Sequence, residues 1–208
     1  MTALSLTLNE AGYVVDQSTT AINRAVDRGI IKVRIQRRGK SRLRKIGSSE
    51  LRFLAIAGEV EKDLTPAARR KVYEAMRRLP DDTHLLSVGI MEFRLLEIDR
   101  RIAARLRQLQ AVKALVEERP DADPVIRGTN ISTYVIAALT NGETIAEIID
   151  DYPTLTPAQI EAAAEYAKVY PKPGRPLPTR SFKKTLADMA GSGVWDIEND
   201  DESMRRCP

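Results

Sequence analysis

The sequence is poor in the residues that metal sites, disulfides and large aromatic cores require. It has one cysteine, one histidine and one tryptophan in 208 residues, and aromatic residues make up only 5% of it. The single Cys207 excludes an internal disulfide, and beside the C-terminus it reads as an incidental thiol rather than a nucleophile. One histidine, His84, without a second histidine or a usable cysteine, excludes a Cys/His zinc site. No apolar run approaches the ~18 residues needed to span a bilayer. The opening residues, MTALSLTLNE, lack the basic and apolar regions of a secretory leader, so a cytoplasmic protein is expected. Few aromatics beside 30% charged residues favour two or three small units over one large core.

One stretch lacks a whole sign of charge. Residues 30–47, IIKVRIQRRGKSRLRKIG, contain eight Lys or Arg and no acid. The net charge of +4 conceals this asymmetry. Residues 1–79 carry 17 cations against 8 acids, residues 80–119 are balanced at 7 each, and residues 120–208 carry 9 against 14. A basic front and an acidic rear point to an anionic partner at one end only, and nucleic acid is the common case.

The front reads as a small DNA-binding unit. TLNEAGYVV places Leu8, Ala11, Val14 and Val15 on one helical face. Asp16 and Gln17 break it, Ser18 is an N-cap for STTAINRAVDRG, and Gly29 is a natural stop. Two short helices joined tightly read as a helix-turn-helix. Ile31, Val33 and Ile35 then alternate with Lys32, Arg34 and Gln36, the period of a strand with one buried face. RRGKS makes the turn and Leu43 and Ile46 mark the return. This basic hairpin stands where a winged helix-turn-helix keeps its wing. SSELRFLAIAGEVEKDL and TPAARRKVYEAMRRL predict two further helices, the second with Pro66 in its first turn.

PDDTH reads as a linker, and LLSVGIMEFRLLEI begins like a strand and then becomes ambiguous. From Asp99 to Arg119 a long helix is predicted, with Ile102, Leu106, Leu109, Val112 and Val116 as a stripe that bridges domains or pairs with its copy in a dimer. RPDADP is a second boundary. Beyond it lie three short helices: one near 131–140 ending at Asn141-Gly142, one capped by Thr144, and one with Thr156 as cap and Pro157 at its start. Gly128 permits a turn closed to other residues, Thr129 or Ser132 can cap the next helix, and Val135, Ile136 and Leu139 enter the core. PKPGRPLP, four prolines in eight residues, predicts an extended linker, and the remaining tail is too polar to fold alone.

The fold class expected is mostly α. It comprises a winged helix-turn-helix with a small β-hairpin (1–79), a strand and linking helix (84–119), a three-helix domain (120–171) and an extended tail (172–208). No enzymatic motif survives inspection. The GKS at 39–41 lacks the earlier glycine of a phosphate-binding loop, since Arg34 stands there, and GSGVWD lacks the third glycine of a dinucleotide fingerprint. Asp121, Asp123, Asp150 and Asp151 cluster in sequence at helix ends and turns, where Asp is ordinary. No enzyme activity, cofactor or metal is expected.

The stretch DPVIRGTNISTYVIAALTNGETIAEIIDDYPTLTPAQIEAAAEYAKVYP, residues 123–171, resembles domain-of-unknown-function family 433, small helical domains of bacterial antitoxins. The pattern is a DP start, a GT(R/N)I turn, an NG-x-(T/S)-x-x-E-I bend, and YP-x-L-(T/S)-x-x-Q-I leading into AA-x-x-YA. One departure is Asn130, where many members carry Arg. Longer, VapB-type members place a helix-turn-helix in front, and the order of elements here is similar. The resemblance implies an antitoxin whose partner is a PIN-like ribonuclease toxin.

Two residue sets follow. For double-stranded DNA, Ser18, Thr19, Asn23 and Arg24 are the expected base-reading face, since Asn suits adenine and Arg suits guanine. Lys32, Arg34, Arg37, Arg38, Lys40 and Arg42 of the hairpin supply phosphate contacts. For the toxin, a disordered tail that orders on binding has Phe182, Leu186, Met189 and Trp195 as apolar anchors. An arginine inserted into a carboxylate-rich nuclease site neutralises it, and Arg175, Arg180, Arg205 and Arg206 are the candidates. A homodimer is expected, because helix-turn-helix operators are two-fold. The alternative is a stand-alone transcriptional regulator or excisionase-like DNA-binding protein whose rear domain only dimerises.

Overall fold

The computed structural model describes residues 4–38, 41–60, 64–120, 122–174 and 177–191. Helices dominate it, with three small antiparallel sheets. No helix among the described residues is long and apolar enough to cross a membrane.

Strand β1 (Leu6–Thr7) runs directly into α1 (Leu8–Val15). Thr7 and Glu10 form a capping box, the Glu10 amide donating to the Thr7 hydroxyl and the Thr7 amide to the Glu10 carboxylate. The helix ends at Asp16, held left-handed at φ 54°, a conformation that Asp tolerates better than most residues. Ser18 caps α2 (Thr19–Asp27), whose Ile22 is fully buried. Strands β2 (Arg34–Arg38) and β3 (Ser41–Ile46) follow, and the sheet order is β1-β3-β2. Helices α3 (Ser48–Val60) and α4 (Pro66–Arg78) close the core, with Leu51, Phe53, Ile56, Val72, Tyr73 and Met76 buried.

The ambiguous stretch after the linker is a β-hairpin, β4 (Leu85–Val88) and β5 (Met91–Arg94), with Gly89 at φ 64° in the turn. Leu86, Val88, Met91 and Phe93 pack one face onto the core. The long helix is α5 (Leu96–Ala114), shifted toward the N-terminus from the 99–119 expected. Its last expected turn is β6 (Val116–Glu117), which pairs with β7 (Val125–Ile126). The apolar stripe of α5 is not left free for a second copy. Ile98, Ile102, Leu109 and Val112 are buried, and α5 packs on α1, on α3 and on a rear helix over Pro157–Val169. The helix bridges front and rear within one chain because its stripe meets apolar faces on both.

The rear core of Ile126, Ile136, Leu139, Ile148, Leu155, Ile160 and Ala163 joins α6 (Thr133–Leu139), α7 (Ile145–Asp151) and α8 (Pro157–Val169). Thr144 and Thr156 are N-caps with full capping boxes. Gly128 has the positive φ expected of it, 80°. Neither Thr129 nor Ser132 caps α6 through its side chain. The Thr129 hydroxyl turns the loop instead, donating to the Ile126 carbonyl and accepting from the Ile131 amide.

The tail departs from a purely extended segment. Residues 182–191 form α9 (Phe182–Gly191), and the chain leading into it is strapped to the α6–α7 turn. The Thr179 carbonyl lies so close over Gly142 that a Cβ there would stand 2.4 Å from it. The Ser181 amide donates to buried Glu143 at 2.6 Å, and Lys184 bridges Glu143 and Glu147.

Front and rear meet at Glu10. Its carboxylate accepts from the Tyr170 hydroxyl at 2.5 Å and from Lys113 at 3.0 Å. Burial raises its pKa, but bonds from Tyr170, the Thr7 amide and Lys113 outweigh that and hold it at about 2. Tyr134, Tyr166 and Tyr170 stack beside it, with ring centroids 6.3 and 4.7 Å apart along the row.

Candidate nucleic-acid interface

The hairpin register decides what each of its faces carries. Residues opposite one another point to the same side, and successive residues alternate. Ile46 is fully buried, so Arg44 and Arg42 share the core-side face with it, and their partners Ile35 and Arg37 lie there too. The opposite face carries Arg34, Gln36, Leu43 and Lys45. Past Ile46 the sheet outruns the core, so the core-side face emerges into solvent as Arg44, then Arg42 opposite Arg37.

Helix α2 lies against that emerging face. Arg44 Nη1 is 2.7 Å from the Asp27 carboxylate and 3.2 Å from the Asn23 side-chain oxygen, which fixes the hairpin to the helix. Arg37 and Arg42 make no ion pair among the described residues, nor do Arg24, Arg28 and Arg34. Two like-charge pairs, Arg37 with Arg42 and Arg34 with Lys45, therefore stand directly across the ladder. Such pairs destabilise an antiparallel sheet in isolation. An exposed Ile35, 62% accessible, lies among them.

The expected base-reading residues are divided by this geometry. Arg24 is exposed on the outer face of α2. Ser18 is exposed, but its hydroxyl accepts from the Ala21 amide as the cap. Thr19 is half-buried, and Asn23 is half-buried with its oxygen turned to Arg44. With Ile22 inward, the outward line is Thr20, Arg24 and Arg28. The i, i+4, i+8 spacing carried that signal, and phasing the helix from Ile22 alone finds it. Of the phosphate candidates, Lys32, Arg34, Arg37 and Arg42 are exposed. Lys40, and Arg38 beyond its backbone, lie outside the described residues.

On the tail, Arg180 is held in an ion pair with Asp188 of α9, and Leu186 and Met189 are large apolar side chains exposed on that helix. Phe182 opens α9, but its side chain lies outside the described residues, as do Arg175, Trp195, Arg205 and Arg206. The Asp99 carboxylate accepts from His84 Nδ1 at 2.9 Å and from Arg52 at 2.7 Å. Asn130 accepts from Arg119 at 2.9 Å, so the asparagine there pins the entry to the rear domain. Among the described residues no group of three or more His, Cys, Asp or Glu is placed to hold a metal ion.

Residues 120–167 match a known family model. Its description is "Protein of unknown function (DUF433)". Over 134 residues, 62% of this chain, the sequence is 29% identical to a relative described as "Uncharacterized protein y4eO" from Sinorhizobium fredii (strain NBRC 101917 / NGR234). The chain spans 58% of that relative's length. No solved structure matches.

Proposed function

We propose that the chain is a DNA-binding regulator of the antitoxin type, with α1, α2 and the β2–β3 hairpin acting as a winged helix-turn-helix. The observation that carries the DNA half is the uncompensated opposition of Arg37 and Arg42 on the face continuous with α2. A sheet that keeps like charges opposed gives up stability in the free protein, and a phosphate backbone restores it by neutralising both. Arg24, Arg28 and Thr20 on the outer face of α2 supply base contacts, and the hairpin holds the register. The antitoxin half rests on the resemblance of residues 123–171 and on α9, whose exposed Leu186 and Met189 offer an apolar anchor to a PIN-like ribonuclease.

A stand-alone regulator is the second reading. It is favoured by the strap at Glu143, which already ties the start of α9 to its own domain. One selection experiment addresses DNA: the full chain is used to enrich duplexes from a random pool, and Arg24→Ala is then compared with wild type. Enrichment of a sequence whose preference relaxes at one position in the variant is expected. No enrichment and no binding would remove the reading. Co-expression with the neighbouring gene separates the two versions, since Leu186→Ala releases a toxin only if one is held there.

A further inference from the structure

We infer that α4 carries a second phosphate-contacting surface, so that Arg70, Lys71 and Arg78 grip the backbone of the same duplex beyond the reach of the hairpin. This rests on the DNA-binding reading above and extends its site.

The sequence PAARRKVYEAMRR folds with Val72, Tyr73 and Met76 inward. At ~100° per residue the opposite arc holds Arg77, Arg70, Glu74, Arg78 and Lys71, four cations around one acid. Glu74 and Glu50 each lie 3.9 Å from Arg77. Arg70, Lys71 and Arg78 are exposed and make no ion pair among the described residues. The negative end of the helix dipole accounts for cations in the last turn, where Arg78 sits, but not for Arg70 and Lys71 in the first half.

The arc is joined to the hairpin by one buried side chain. The Tyr73 hydroxyl accepts from the Lys32 amide at 2.8 Å and donates to Glu50 at 3.0 Å. Its ring packs on Phe53 with centroids 5.0 Å apart, and the Arg77 guanidinium lies 5.9 Å from its centroid. Tyr73 thus sets the entry to β2, with Lys32 and Arg34, at a fixed distance from α4. Arg34 stands opposite Lys45 across the ladder. Lys32, Arg34 and Lys45 of the hairpin and Arg70, Lys71 and Arg78 of α4 make no ion pair among the described residues. A polyanion with evenly spaced charges can bridge two such groups of cations, and the Tyr73–Lys32 bond that ties α4 to the entry of the hairpin makes the duplex backbone the occupant.

The test uses the full chain and a fluorescent duplex of about 30 base pairs, three helical turns, titrated over a range of salt. Each phosphate contact contributes ~0.9 to the slope of log affinity against log salt. Arg70→Gln with Lys71→Gln and Arg78→Gln is expected to lower the slope by about 3, equally for preferred and unrelated duplexes. Arg70→Lys with Lys71→Arg and Arg78→Lys should keep the wild-type slope, which separates charge from any effect on folding. A glutamine variant that keeps both slope and affinity, while Arg37→Gln with Arg42→Gln loses them, overturns this inference and leaves the DNA reading intact. A wild-type chain that binds no duplex overturns both.

Discussion

Glu10 serves three neighbours at once. It caps α1 through Thr7, takes the Tyr170 hydroxyl from the end of α8 and pairs with Lys113 of α5. Bonds to a buried charge are worth more than neutral ones, and Tyr170→Phe is expected to cost about 1.5–3 kcal/mol in thermal or denaturant melts at neutral pH. The pH dependence has a definite sign. The folded Glu10 titrates at about 2 against an ordinary 4.5, so its contribution is present above 4.5 and lost as pH falls toward 2. Removing the Tyr170 bond raises the folded value and narrows that window, so wild type and variant should converge in stability as the medium is acidified through it. Equal melting at neutral pH would show that the bond carries no stability. Nothing in the sequence pointed to Glu10 beyond its place in a capping box, because Tyr170 lies 160 residues away and only the tertiary fold brings it there.

At the scale of elements, local signals were readable and long-range ones were not. Ser18, Thr144 and Thr156 announced their helices as caps, and the alternation over 31–36 with the return at Leu43 and Ile46 announced a hairpin, though Ile35 of its expected buried face is exposed. The β4–β5 hairpin was half-legible: its first strand was read, but Leu95 and Leu96 continue the apolar run and blur where strand becomes helix. The α5 stripe was legible as apolar, but whether it bridged domains or met a second copy was not, since periodicity says that a face is covered and not by what. Helix α9 was missed as an ordered element because its anchor is not apolar. It is held by Glu143, and the path to it crosses Gly142, where no side chain fits under Thr179. Gly142→Ala is therefore expected to lift the strap: amide exchange across 181–191 should accelerate, with the rear core unchanged. Exchange as slow as in wild type would mean the strap bears on other contacts.

In the whole molecule, front and rear are not beads on a string. α5 and α8 both pack on α1, so the first helix of the proposed DNA-binding pair also carries the contact to the rear domain. The basic front and acidic rear legible in the sequence thus belong to one packed body, with the proposed DNA face on α2 and the hairpin. Of the residues expected to read bases, Asn23 turns its oxygen to Arg44 and Thr19 is half-buried, while Arg24 stands exposed in line with Thr20 and Arg28. The most direct test of the central claim measures one variant in two ways. Arg37→Gln with Arg42→Gln removes an opposed pair of like charges, which the proposal assigns to an anionic partner. Melting of the free protein should rise, by about 0.2–1 kcal/mol of stability, while affinity for duplex DNA and its salt dependence both fall. A variant that melts lower than wild type and binds duplex DNA as well as wild type would contradict the account.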